Sequence, residues 1–558
     1  MHADLSRVTF RPDRPYAAVI AQQGRVQLDA DANEQAAIQL VTARRVAADL
    51  IGPHGGPAGA TGFAVGFEGR SRELDDLTIG GGRYYVAGIP LDATRPLPGT
   101  PVPDAGHAPG EGGTAPASDA APRTWTYWDQ PDAHRDPECA ADRLPTTFPY
   151  LVHLTVWERS VTAVEDPLLR EVGLGPAVAD TSARIRTVWQ VLPLAGEELG
   201  VEDGAGPDRV RAAFADWSAR QASTARLAAR TERPDHADDD PCALPPESRY
   251  RGPENQLYRV EIHEGGQAGE ATFKWSRENG SVALAVECLD GTWAELASLG
   301  GDDRLGLQVG DWVEPLDTAA VSRGGARPLL RIEEVDLPGR RVRLSAEPDP
   351  AVGRRPELHP FLRRWDHRRS PGRSGGRGPA GPAAPPLRRG AHRVEEGSWL
   401  PLEDGVFVWF EPGATYRTGD FWTVAARTAT GDVEWPADTA GRPLLQPSCG
   451  IRVHRAPLAW VLGEGSVVDL RLSFAPLAVP VAVAGAPAAA TGTEGSEGAA
   501  GTAGAGASGA GAESPAGGRS ATEADHPGQT PATPSETSPG SGSATAPGGQ
   551  NDQERSDD

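Results

Sequence analysis

Two segments restrict the fold more than any others: "YLVHLTVWERSVTAV" at residues 150–164 and "ARIRTVWQVLPL" at 183–194. Both are rich in Val, Leu, Ile, Thr and Trp and contain no glycine. β-branched and aromatic side chains pack well on a pleated surface, so runs of this length and composition predict strands. The intervening "EDPLLREVGLGPAVADT" predicts a loop with one helical turn. The same signature continues from 254 to 346, through "ENQLYRVEIHEGG", "EATFKWSRENGSVALAVECLD", "LGLQVGDWVEPLD" and "RPLLRIEEVDLPGRRVRLSAEPD". Alternating polar and apolar residues with a turn at "LPGR" predict consecutive antiparallel strands closing a small barrel or sandwich. Strands resume at "DGVFVWFEPGATYRTGDFWTVAAR", "GDVEWP" and "LAWVLGEGSVVDLRLSF". The expected class is mainly β with a few helices, made of several small β-barrel or β-sandwich-like units.

Two stretches break this pattern. In "QLDADANEQAAIQLVTARR" (27–45), Asp29, Asp31, Asn33 and Glu34 alternate as calcium ligands could. A calcium loop counted from Asp29 needs glycine at position 6 and glutamate at position 12. The chain has Glu34 and Leu40 there. A helix over about 31–51 fits better. Asp31 is placed as its cap, Glu34 as the capping-box partner, and Ala37, Leu40, Val41, Ala48 and Ile51 as its apolar stripe. Arg44 and Arg45 suit its C-terminal half, and Gly52-Pro53 ends it. "DRVRAAFADWSARQASTARLAAR" predicts a second helix over about 208–230.

The resulting organisation is an N-terminal segment (1–92) holding the first helix and short strands, with "YYVAGIPLD" as strand, turn, strand. A Pro/Gly/Ala-rich flexible loop follows (93–122), then a β-rich region with the second helix (123–250) and a barrel or sandwich-like domain (251–350). Residues 351–395 carry eleven arginines among Pro, Gly and Ser and predict a solvated loop. A C-terminal β-rich region (396–481) precedes a tail (482–558) with almost no aromatic or branched apolar residues. Such a tail cannot bury enough surface to offset chain entropy and is expected to be disordered.

The net charge is −23, which argues against general binding to nucleic acid or to an anionic membrane. No apolar run reaches the ~20 residues of a spanning helix, and "MHADLSRVTF" has no signal-peptide pattern. The expectation is a chain that starts in the cytoplasm, with no membrane insertion, and that reaches the outside by lysis or a specialised route. Cys139, Cys242, Cys288 and Cys449 are too few and scattered for a disulfide scaffold in 558 residues. Lys274 is the only lysine beside 53 arginines, a bias that a GC-rich coding sequence explains.

Chemistry-bearing motifs are sparse. His134 with Cys139, and His236 with Cys242, could together make a tetrahedral zinc site, but both pairs sit in polar loops at spacings unlike structural zinc motifs. No nucleophile elbow, phosphate-binding Gly-rich loop or dinucleotide fingerprint is visible. Neither a catalytic set nor a cofactor is expected. "GGDDR" (300–304) and "LEDG" (402–405) hold acid pairs of the kind usual in turns. The aromatics Trp125, Tyr127, Trp128, Trp157, Trp189, Trp275, Trp312, Trp365, Trp409, Trp422 and Trp435 could form a sugar platform, although core packing is their commoner use in β-proteins.

Several phrases together, among them "QQGRVQLDADANEQ", "YLVHLTVWERSVTAVEDPLLREVGLG", "RYRGPENQLYRVEIHEGG", "ATFKWSRENGSV", "LEDGVFVWF" and "YRTGDFWTVAARTATGDVEWP", resemble an uncharacterised bacterial domain family. That family is encoded in gene clusters for phage-tail-like contractile injection systems, and the resemblance spans about 4–475. It implies a structural or adaptor part of such a particle, in the baseplate, fibre or cap, with other particle subunits as partners. It carries no assigned catalytic residues. The alternative is a glycan-binding or glycan-cleaving protein, for example as cargo of the particle.

Overall fold

The computed structural model describes residues 2–69, 75–96, 124–175, 180–202, 204–231, 249–302, 304–367 and 387–477. Most of the 93–122 loop, residues 368–386 of the arginine-rich segment and the tail from 478 lie outside these residues. The chain is mainly β, in several separate sheets. Residues 1–480 form one compact unit.

The two segments that opened the sequence reading are twelve-residue strands, Tyr150–Val161 and Arg184–Ala195, paired antiparallel along their whole length. His454–Gly463 adds to the other edge of Tyr150–Val161, and Ser466–Asp469 completes four strands. One face of this sheet packs Tyr150, Val152, Leu154 and Val156 against the short sheets of the N-terminal segment, including Phe63, Leu77, Tyr84 and Val86. The other face buries Leu151 and Trp460 under the helix Pro207–Arg220, through Val210 and Phe214.

A six-stranded sheet is centred on Gln256–Glu264, flanked by Thr272–Ser276 and Phe421–Arg427. It stacks on a four-stranded sheet containing Arg226–Thr231 and Val406–Phe410. Between the two lies a core of Tyr258, Val260, Ile262, Phe273, Trp275, Val408, Phe410 and Trp422, a sandwich in the ordinary sense. A closed barrel is present, a ring of six strands: Ala283–Asp290, Trp293–Leu296, Arg341–Leu344, Leu330–Asp336, Trp312–Leu316 and Phe361–Trp365. It extends beyond the expected 251–350, because Phe361–Trp365, in the stretch expected to be a solvated loop, is a wholly buried strand pairing with Trp312–Leu316 and Ala283–Asp290. Its interior is filled by Ala294, Leu296, Val313, Ile332, Val342 and Leu362.

The structure differs from the sequence reading at both helices. The second helix stops at Arg220, and Arg226–Thr231 is a strand between Val406–Phe410 and Gln446–Pro447. Leu227 and Ala229 alternate into the sandwich core, so tertiary pairing overrides the helix propensity of an Ala- and Arg-rich segment. The first helix, α1, runs Asp29–Ile51 with Leu28 at the cap position. Asp31 is therefore not the cap: it sits one turn in and accepts the backbone N–H of Leu28 at 3.3 Å. Within the expected stripe Leu40 points outward, and the buried residues of α1 are Ala30 and Ile38. The turn in "YYVAGIPLD" is formed by Ala87 and Gly88, both at positive φ. A Cβ at Gly88 would lie 2.1 Å from the Arg44 carbonyl oxygen. Only glycine lets α1 cross the hairpin at backbone contact.

Candidate functional site

The only lysine is buried at the junction of the six-stranded sheet and the barrel. Lys274 lies on Thr272–Ser276, directly opposite Glu261 in the strand pairing. Its Nζ donates to Glu314 Oε2 at 2.7 Å, lies 3.4 Å from Glu261 Oε1, and stands 4.3 Å above the Trp365 ring. Glu314 and Trp365 belong to neighbouring barrel strands, and the Trp365 indole N–H donates to the same Glu314 oxygen at 3.0 Å. Glu261 Oε2 meets Arg259 Nε at 2.6 Å and His2 Nε2 at 2.9 Å. The Arg259 guanidinium also stacks on Phe421 at 3.6 Å. Burial alone would raise both carboxyls. Arg259, Lys274 and His2 outweigh it and hold Glu261 well below the usual carboxylate range, and Lys274 lowers Glu314.

The second strut between sheet and barrel is Asp366. It forms an ion pair with Arg364 at 2.9 Å and accepts from Ser276 Oγ and the Arg277 backbone N–H. Arg364 in turn donates to the backbone carbonyls of Arg304 and Gly306. Three histidines border the cluster: His263, His367 and His392. Burial, reinforced by Lys274, pushes the His263 imidazole down to about 4. Burial with His392 nearby pushes His367 down to about 3. Both are neutral near pH 7. The cluster's charges are matched to one another inside the protein, an arrangement suited to fixing two β units in one orientation.

Of the four zinc candidates, His134 and Cys139 lie among the described residues. His134 is half-buried at a positive φ, with burial lowering its pKa, while Cys139 is exposed and free. His236 and Cys242 lie outside the described residues. Among the described residues no group of three or more His, Cys, Asp or Glu is arranged to hold a metal ion. Asp29 accepts from the Ser6 backbone N–H and hydroxyl at 2.9 and 2.6 Å, so its oxygens serve local structure, as do those of Asp31. Asp302 caps a turn through the N–H groups of Arg304 and Leu305. Glu403 takes Arg277 in a two-pronged ion pair at 2.7 and 2.8 Å. Trp275, Trp365 and Trp422 are buried, and Trp125 is covered by the Arg95 guanidinium at 4.5 Å. Two shallow hollows on the barrel, of about 290 and 260 Å³, are lined by neither Lys274 nor its partners.

The sequence reading passed over Arg259, Glu261, His263 and Glu314. A signal was present: in "LYRVEIHE" the charged residues alternate with Tyr258, Val260 and Ile262, and the strand is buried on both faces. A polar stripe at period two inside a buried strand implies a partner stripe, here supplied by Lys274 and the barrel.

A second feature lies at the N-terminus. Residues 12–29 run almost wholly exposed beside α1, turning at Gln22–Arg25. The segment is tethered to the helix by Ser6 to Asp29, by Thr9 Oγ1 to the Ala30 carbonyl, and by the Val19 N–H to Gln35 Oε1. It presents Tyr16, Ile20 and Val26 to solvent, the last two 82% and 84% exposed. α1 adds Leu40, Val46 and Leu50. Isolated exposed apolar residues are ordinary, but six on one segment and the helix beside it make this end of the chain a candidate interaction surface.

No helix among the described residues is long and apolar enough to cross a membrane. Neither a curated protein nor a solved structure matches the chain. The model of one family, described as a family of unknown function (DUF6519), matches residues 1–130 and 195–535, and the chain belongs to that family.

Proposed function

We propose that this protein is a structural or adaptor subunit of a phage-tail-like contractile injection particle, in its baseplate, fibre or cap. The exposed apolar surface of the N-terminal segment and α1 carries the assembly part of this reading. Leaving such a surface in water is unfavourable by roughly 25 cal/mol per Å², and a partner subunit removes that cost. The particle part of the reading rests on the resemblance of the phrases quoted above to a family encoded in contractile-injection gene clusters. The internally matched charge cluster at Lys274 supports a rigid part over a turnover site, because its ionised groups hold the six-stranded sheet and the barrel to each other.

The test is purification of particles from cells that do and do not carry the gene. The protein is expected to sediment with sheath and tube, and its loss to impair assembly, attachment or firing. Particles that form, bind and fire normally without it, while a downstream toxicity disappears, would make it cargo. Binding or cleavage of insoluble wall polymer by the isolated protein would favour the glycan-active alternative.

A further inference from the structure

The long four-stranded sheet carries an unmatched positive charge on the face that holds the helix Pro207–Arg220. Arg455 stands directly opposite Thr155 in the pairing of His454–Gly463 with Tyr150–Val161, so the two side chains share that face. The Arg455 side chain is half-buried, and its guanidinium lies over the Trp217 ring at 5.5 Å. It makes no hydrogen bond or ion pair among the described residues. Burial, and then the charge of Arg417, hold its pKa below the ordinary value. Arg417 itself is matched, to Asp420 at 2.7 Å. The strand beneath is polar and unsatisfied. Thr155 and His153 are 7% and 4% exposed, and the Thr155 hydroxyl and His153 Nδ1 are buried without a hydrogen-bond partner. The His153 ring meets Trp217 at 5.5 Å, so the four side chains adjoin.

We infer that Arg455 and Thr155 form a binding site for a small oxyanion, a phosphate or a carboxylate. A half-buried guanidinium without a counter-ion is unfavourable, and a buried hydroxyl without a partner calls for one. An oxyanion at this position answers both. The guanidinium supplies a full positive charge and a fork of N–H donors, which fits the paired oxygens of phosphate or carboxylate. The Thr155 O–H rotates to donate to the same group. Trp217 supports the guanidinium through its ring face, which leaves the N–H fork to the ligand. His153 adds no charge near pH 7, because burial, reinforced by Arg455, pushes its imidazole down to about 3. Arg455 is therefore the cation the ligand meets. The chain as a whole carries −23, so its overall field repels anions and the attraction is local.

The experiment is isothermal titration calorimetry on the full chain at neutral pH and fixed ionic strength, with inorganic phosphate in one arm and acetate in the other. Saturable one-site binding is expected in at least one arm, and the tighter arm names the ligand class. Arg455→Met should weaken it roughly a hundredfold and Thr155→Val about tenfold. Arg331→Met, which removes a positive charge from an exposed position on the barrel, should bind as wild type does. Circular dichroism and melting check that each variant is folded. Thr155→Val takes away an unpaired hydroxyl without adding bulk, so its titration decides the matter if Arg455→Met fails to fold. No saturable binding in either arm, or binding that Arg455→Met and Thr155→Val leave unchanged, overturns the inference. Neither result bears on the particle assignment, because the site shares no residue with the N-terminal surface.

Discussion

Lys274 Nζ and Glu314 Oε2 lie 2.7 Å apart, both side chains about nineteen-twentieths buried, one on the six-stranded sheet and the other on the barrel. At all other cationic side-chain positions outside histidine the chain carries arginine. Here Trp365 closes over the cation at 4.3 Å and Glu261 flanks it. These contacts converge on a single compact ammonium, the point charge that distinguishes lysine from the planar fork of arginine.

Replacing Lys274 by Met should therefore cost about 3–5 kcal/mol, because two buried carboxylates lose their shared cation. Glu314→Gln alone should also destabilise. In the double variant the cost should be smaller than the sum, with a coupling of about 0.5–3 kcal/mol. Urea unfolding of the four proteins measures it. Strict additivity would show that the pair contributes no mutual stabilisation.

Stability should fall on acidification before most carboxylates titrate. Burial holds His153 and His367 down to about 3, and His263 down to about 4. An unfolded histidine titrates near ~6.5. Above that value both states are neutral and the stability is complete. As pH falls from about 6.5 towards 3–4, the unfolded chain takes up protons that the folded chain refuses. Each such histidine then removes about 1.4 kcal/mol per pH unit. Denaturation midpoints between pH 7 and 4.5 should fall steadily, and His153→Phe, which keeps an aromatic ring beside Phe214 and Trp217, should flatten the slope. A midpoint constant over that range would exclude the effect.

The strands and the barrel were legible because one face of each strand must be apolar, and period two shows it. Five of the six barrel strands, between 283 and 344, were read from that alternation. The sixth, Phe361–Trp365, was not, because its buried Arg363 and Arg364 made it look like part of a solvated arginine-rich loop. Other features depend on what touches what. Arg226–Thr231 has helix-forming composition, and only its neighbours Val406–Phe410 and Gln446–Pro447 make it a strand. The Lys274 cluster draws on residues as distant as His2, Glu261, Glu314 and Trp365. No local pattern joins them, although the polar stripe of "LYRVEIHE" announced that a partner must exist. The exposed side of α1 was hidden by a similar ambiguity. An alanine-rich helix offers two apolar faces, and composition does not say which one the body covers.

Trp275 and Trp312 should respond differently to truncation. Trp275 is buried in the sandwich core, in ring contact with Tyr258 at 6.0 Å. Trp275→Ala should cost about 3–5 kcal/mol. Trp312 is half-buried and stacks on His367 at 6.2 Å, at the margin of the barrel. Trp312→Ala should cost distinctly less, since part of its ring already meets water. Equal losses in chemical denaturation would mean that Trp312 is as enclosed as Trp275.

The acidic run at the start of α1 should act on the N-terminal segment beside it and not on a metal. Asp29 holds Ser6 by two hydrogen bonds, and the Ser6 contacts lower its pKa against the opposing effect of burial. It also places a negative charge at the positive end of the helix dipole. Asp29→Ala should release residues 2–10, visible as faster hydrogen exchange there and at the first turn of α1. The barrel and the long four-stranded sheet should exchange as before, because the contact is peripheral. The loss in global stability should be small, on the order of 1 kcal/mol for a partly exposed hydrogen-bonded group. Millimolar calcium should leave the wild-type melting temperature unchanged. A rise with calcium that disappears in Asp29→Ala would restore the metal reading of this run.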